Sequence, residues 1–419
     1  MSLFDIIAIL ITITAIFSYL NFRYLRLPAT IGVMLISLVF SAGIILLTHA
    51  GLDFTLQAEH ILNSIDFDNT LMHGMLSYLL FAGALHVNLE DLARQKWLIG
   101  SLATFGIVVS TFVIGTLTWL VLALLGIEIS YIYCMLFGAL ISPTDPIAVM
   151  AILRNAGAPK SMETKITGES LFNDGVGVVV FILIAGIAIS GQDITFSSVA
   201  TLFLEEAVGG AAYGLILGGI TYWMLRQVDN YQVEILLTLA LVTGGYALAT
   251  AIHVSGPIAI VVAGLMIGNQ GRILAMSDIT REHLDTFWEL VDEILNAILF
   301  VLIGLEVLII QFNLNTSVAG FIVVLITLFG RFISVGLPIT FMRKYREFSP
   351  HIIKIMTWGG LRGGISVALA LSLPASPERE VILTITYFVV IFSILAQGLT
   401  IDKLIRFSMR TSKRYEDII

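Results

Sequence analysis

The chain has 419 residues, of which 58% are hydrophobic and only 12% charged; its formal net charge is −8 and its mean hydropathy +0.96. Soluble domains carry about 25% charged residues, so this composition excludes a soluble fold and points to a polytopic all-α membrane protein. Its one cysteine, Cys134, lies in an apolar run, which rules out an internal disulfide and matches no zinc spacing.

The start, MSLFDIIAILITITAIFSYL, has neither a basic leader nor a small-residue cleavage site and reads as a retained first span. Hydropathy and turn signals then place about 13 transmembrane helices near 3–21, 28–48, 69–87, 97–125, 129–153, 161–190, 196–226, 232–252, 256–270, 286–311, 314–343, 350–373 and 380–408. Residues 1–408 thus form a single membrane domain, followed by a short tail, 409–419. With this placement 19 of the 22 Lys and Arg residues fall on one side. They are Arg23, Arg26, Arg94, Lys96, Arg154, Lys160, Lys165, Arg226, Arg272, Arg281, Arg343, Lys344, Arg346, Lys354, Lys403, Arg406, Arg410, Lys413 and Arg414. The opposite loops hold Arg379 and a set of acids: Asp53, Glu59, Asp66, Asp68, Glu128, Asp193, Glu378 and Glu380. The excess of positive charge inside puts the N-terminus outside and the C-terminus in the cytoplasm. Arg331 and Arg362 are left deep within predicted spans.

The fifth span contains ISPTDP, where Pro143 and Pro146 each remove an amide proton and clash with the preceding turn, so a helix breaks there. The twelfth contains WGGLRGG, whose glycines permit an unwound stretch. From Asp145 to Arg362 is 362 − 145 = 217 residues, about half the chain. Paired interruptions at equivalent places in two halves point to an inverted-repeat secondary transporter with its site near the midplane. Each break also carries an ionisable residue, which a simple kink does not require.

The sixth span holds TGESLFNDGVG, with Glu169, Ser170, Asn173 and Asp174. An ionised group at the bilayer centre costs at least about 2.5 kcal/mol, so these acids need a function or a partner. Residues four apart share a helix face, stacking Ser170 with Asp174 and Glu169 with Asn173. The Asp174 carboxylate and Ser170 hydroxyl are hard oxygen ligands suited to a small cation, and a buried carboxyl also binds a proton. A group that holds either a cation or a proton couples two fluxes. Glu169 reads instead as the structural partner of a membrane arginine, Arg331 in preference to Arg362. Asn173 reads as a bridge to the broken helices, and Asp145 as either a local cap or an influence on the ion. Glu306 is read as interfacial or paired near the outer end of its span, and His86 and His253 as the histidines closest to a titrating role.

Together SPTDP, GESLFND, FVLIGLE and GGLRGGISVALA resemble the monovalent cation:proton antiporters, a family that includes prokaryotic sodium/proton antiporters and animal sodium/proton exchangers. The resemblance runs from the third span to the thirteenth. It implies a homodimer working by alternating access. Each protomer would have a core (about 97–190 and 314–408) with two unwound crossing helices, the fifth and twelfth, and a dimerisation part (about 3–87 and 196–311). By the same match Asp174 is the exchanging carboxylate and binds the transported Na+ with Ser170 and the backbone carbonyl of Thr144, while Asn173 and Asp145 shape the site. An asparagine before Asp174 resembles the electroneutral members, which exchange one cation for one proton. The expected activity is exchange of Na+, and of Li+, for H+ across a bacterial inner membrane. No cofactor, enzymatic chemistry or nucleic-acid partner is expected.

The third span departs from this pattern. Where many prokaryotic members have a glutamate in a stretch like FEGAL, this chain reads FAGAL with Ala82, which keeps potassium/proton or mixed exchange open as the alternative. A channel would require polar residues lining several spans, whereas here they cluster on the fifth, sixth, eleventh and twelfth. An organic-anion transporter is disfavoured by Asp145 and Asp174 themselves.

Overall fold

A computed structural model describes residues 3–50, 74–146, 149–150, 153, 160–190, 204–308, 310, 313–345, 348 and 351–416. The charges expected at Arg154, Arg346, Asp53, Glu59, Asp66, Asp68 and Asp193 lie outside the described residues. The chain is all-helical there. Its helices are α1 (Leu3–Leu20), α2 (Ala29–His49), α3 (Leu76–Leu85), α4 (Leu89–Leu124), α5 (Tyr131–Ile141), α6 (Lys160–Ser190) and α7 (Leu204–Leu225). They continue with α8 (Tyr231–Ala251), α9 (Gly256–Gly271), α10 (Asp278–Glu306), α11 (Leu314–Met342), α12 (Ile352–Trp358), α13 (Gly364–Leu371) and α14 (Pro377–Ser408). Eight helical segments among the described residues are long and apolar enough to cross a membrane, so the protein is multi-pass.

Three helices start earlier than hydropathy alone suggests, each because a polar residue caps free backbone amides. Asn88 Oδ1 accepts from the amides of Glu90 at 2.9 Å and Asp91 at 3.1 Å, which starts α4 inside the charged stretch LEDLARQK. Ser277 does the same for α10 through Thr280 N. Ser376 caps α14 through Arg379 N, with Pro377 in the first turn. At the other end of the chain, helix continues beyond α14 to Glu416, so the expected tail is helical over most of its length.

Lipid tails are as apolar as leucine, so close packing rather than loss of water holds membrane helices together. Small residues supply it. A Cβ added at Gly138 on α5 would strike the Thr111 backbone carbonyl on α4. Gly138→Ala is therefore expected to destabilise the protein by about 1–3 kcal/mol through overpacking, read as a lower thermal unfolding midpoint in detergent; an unchanged midpoint would show that α4 and α5 can separate freely.

Apolar packing forms two clusters. One contains Leu10, Ile31, Phe137, Phe300, Val335, Leu361 and Tyr387. The other contains Phe81, Leu225, Tyr246, Ile260 and Trp288. Because Trp288 and Phe300 belong to different clusters, α10 passes from one to the other, and the stretch between them faces the site.

Candidate cation site at the crossed helix breaks

The two interrupted helices meet at their breaks. After α5 ends at Ile141, the amide of Asp145 donates to the Leu361 carbonyl at 2.8 Å, in an antiparallel pairing of the stretch after α5 with the stretch between α12 and α13. Two glycines of WGGLRGG make this crossing possible. A Cβ at Gly363 would overlap the Asp145 side chain, and one at Gly360 would overlap the Arg331 guanidinium. Arg362, between them, is 2% exposed and donates through Nη1 to the carbonyls of Ser142 (2.5 Å) and Pro143 (2.8 Å). A cation thus meets the negative carbonyl end of α5 where the prolines have cut it. Its own amide donates to Ser393 Oγ at 2.8 Å, at the start of a π-helical turn over Ser393–Gln397.

The third element is α6. At 3.6 residues per turn, Glu169, Asn173, Ser170 and Asp174 fan across about 140° of its surface. The middle of the fan ties α6 to the α5 break. Asn173 Nδ2 donates to Thr144 Oγ1 at 2.8 Å, Asn173 Oδ1 accepts from Thr144 N at 3.2 Å, and the Ser170 and Thr144 hydroxyls are 3.1 Å apart. At one edge, Glu169 receives both Nη groups of Arg331, whose Nε also donates to the Met356 carbonyl at 3.3 Å. Glu169 therefore meets Arg331, and Arg362 serves the α5 carbonyls instead. At the other edge, Asp174 is 8% exposed and lines a cavity of about 470 Å3 together with Thr144 and Asp145. Asp145 lies within electrostatic reach of Asp174.

One water needs about 10–15 Å3 of accessible space, so the cavity has room for several waters beside Asp174. In its wall the Asp174 carboxylate and the oxygens of Thr144, with the Ser170 hydroxyl hydrogen-bonded behind Thr144, are ligands of the kind a small monovalent cation takes. Ala82 from α3 lines the same cavity, as does His86, whose Nδ1 lies 2.8 Å from the Ala82 carbonyl. Glu306, the last residue of α10, is buried within electrostatic reach of Arg379 and Tyr387. His253 lies in the turn after α8, within electrostatic reach of Glu206.

Two residues of the cavity wall were not apparent from hydropathy: Asp292 and Asn296 of α10. Their signal was present, since LVDEILN places two acids, Asp292 and Glu293, inside the tenth predicted span. It sat close to the charged start of that helix and read as part of it.

Residues 9–406 match the model of a family described as "Sodium/hydrogen exchanger, transmembrane". The chain belongs to this family. Among sodium/hydrogen exchanger relatives, the Na(+)/H(+) antiporter NhaP of Pseudomonas aeruginosa is 53% identical over 407 residues, covering 96% of each chain. The Na(+)/H(+) antiporter NhaH of Halobacillus dabanensis is 36% identical over 92% of this chain and 93% of its own. Among solved structures, the sodium proton antiporter MjNhaP1 of Methanocaldococcus jannaschii at pH 8 superposes with a TM-score of 0.75 over 97% of this chain and 99% of its own. At 19% identity that likeness speaks to the exchanger fold alone.

Proposed function

We propose that the chain exchanges sodium for protons across the membrane by alternating access, one for one, and accepts lithium in place of sodium. The observation that carries this reading is Asp174, a carboxylate set in the wall of a cavity beside two crossed helix breaks, with Thr144 in the same wall and hydrogen-bonded to Ser170. Relatives named as Na(+)/H(+) antiporters, one of them 53% identical, supply the choice of ions. Asn173 cannot titrate and spends both amide atoms on Thr144. With Asn173 neutral, Asp174 alternates between one cation and one proton beside it, which favours electroneutral exchange.

The cavity reaches Asn88, Asp91, Lys160 and Glu163, which lie toward the side that the distribution of Lys and Arg assigns to the cytoplasm, so this conformation is the inward-open one. The chain functions as a homodimer in a bacterial inner membrane, N-terminus outside and C-terminus cytoplasmic. The helices of about 97–190 and 314–408 move as the core against those of about 3–87 and 196–311.

The test is proton movement in proteoliposomes carrying a pH gradient, after addition of sodium, lithium, potassium or choline chloride. Sodium and lithium should dissipate the gradient and choline should not. Potassium acting as well as sodium would replace the sodium-selective reading with mixed exchange, for which the Ala82 methyl in the cavity wall is the structural reason. Silence with every cation would overturn antiport. Stoichiometry follows from clamping the voltage: one net charge per cycle is worth about 2.3 kcal/mol per 100 mV, equivalent to about 50-fold in the sodium gradient reached, whereas one-for-one exchange gives no shift.

A further inference from the structure

The cavity at Asp174 has two other walls. From α3 comes Ala82, which offers a methyl group; from α10 come Asp292 and Asn296, four residues apart on one face of the helix, which offer oxygens. Asn296 is 1% exposed. Its Nδ2 donates to the Asp292 backbone carbonyl at 2.8 Å, one turn back along the helix. That bond assigns the amide's two ends, because only nitrogen can donate to a carbonyl. The remaining end, Oδ1, is buried and has no hydrogen-bond partner.

A buried amide oxygen without a donor is unfavourable, and here it belongs to a residue lining the cavity at Asp174. A monovalent cation supplies what the lone pairs lack. Asp292 strengthens the case, since it faces Asp145 within electrostatic reach across the same cavity. Two carboxylates on opposing walls repel each other, and a cation between them turns that repulsion into attraction. Carboxylate and amide oxygens are both hard ligands, of the kind that replaces part of a small cation's hydration shell.

We propose that Asn296 Oδ1 and Asp292 form a second cation station on α10, which holds the ion on its way to or from Asp174 and sets the apparent affinity that the Ala82 wall cannot. The direction of travel rests on the antiport reading; the existence of the station does not. With α3 contributing no oxygen, the ligands come from the helix opposite.

Full-length protein carrying Asn296→Ala, Asp292→Asn or Asn296→Asp is compared with wild type in two assays: the sodium dependence of exchange in proteoliposomes, and the sodium-induced shift in thermal midpoint in detergent. Asn296→Ala and Asp292→Asn should each raise the half-saturating sodium concentration by about tenfold, the effect of losing one well-placed ligand. The change falls on half-saturation more than on maximal rate, and both variants lose most of the sodium-induced shift. Asn296→Asp keeps an oxygen in place and should return half-saturation toward wild type. Unchanged half-saturation in both disabling variants overturns the station. So does a loss of thermal stability without sodium that leaves sodium dependence intact, since that outcome marks a packing role. Should wild type show no exchange, antiport fails and the thermal assay alone decides: a sodium shift present in wild type and absent in Asn296→Ala supports the station, and no shift in wild type overturns it.

Discussion

Asp174→Asn is expected to abolish sodium-driven proton exchange while leaving the protein folded. The amide keeps the size of the carboxylate and its capacity to accept one hydrogen bond, but it neither ionises nor takes up a proton in the physiological range. Both halves of the cycle are lost together. The cation loses its counter-charge; losses of that kind amount to about 2–5 kcal/mol, at least a twentyfold drop in occupancy. The proton loses its carrier altogether, so exchange falls to the level of empty vesicles. The fold tolerates the change because Asp174 lies at the cavity edge of the α6 fan. The contacts that tie α6 to its neighbours belong to Ser170 and Asn173, through Thr144, and to Glu169, through Arg331. The measurement is proton movement in proteoliposomes at several sodium concentrations, with thermal unfolding of the same preparation as control. Exchange persisting in a folded Asp174→Asn variant would remove this carboxylate from the coupling.

That division of labour along α6 was only partly legible in the sequence. The i, i+4 rule stacks Glu169 with Asn173 and Ser170 with Asp174, and it correctly marks a helix face that mixes acids with neutral polar groups. It cannot say which neighbour each side chain meets, because that depends on how α6 rotates against α5 and α11. The structure puts Asn173 with Ser170 on Thr144 and turns Glu169 away to Arg331. The two breaks were legible for a stronger reason: proline removes a donor wherever it sits, and a half-chain separation suggests the repeat. The glycines of the second break were legible only as permissive. Their role in close approach, with Gly363 admitting Asp145 and Gly360 admitting Arg331, is a property of the crossing and not of the local stretch. Helix starts at Asn88 and Ser277 were hidden because hydropathy scores the charged first turns of α4 and α10 as loop, while a single capping oxygen holds them helical. The same bias concealed Asp292 and Asn296.

Glu169→Gln is expected to have the largest effect on stability. Glu169 is 1% exposed and Arg331 6%, and the two pair through both guanidinium nitrogens and both carboxylate oxygens. Neutralising one partner of such a pair leaves the other as an uncompensated buried charge, at a cost of about 3–5 kcal/mol. Arg331 would keep the Met356 carbonyl and the one amide oxygen of the glutamine, neutral acceptors that do not balance its charge. The thermal midpoint in detergent should fall well below that of Asp174→Asn. Added salt should not narrow the gap, because a pair this buried is screened little. The decisive comparison is the double variant Glu169→Gln with Arg331→Met, which removes the stranded charge. If the pair is structural, the double variant is more stable than Glu169→Gln alone. It also recovers part of the exchange rate, since no unbalanced charge is then left beside the α6 face that carries Asp174. A Glu169→Gln protein as stable as wild type but without exchange would place this carboxylate among the groups that handle the ion.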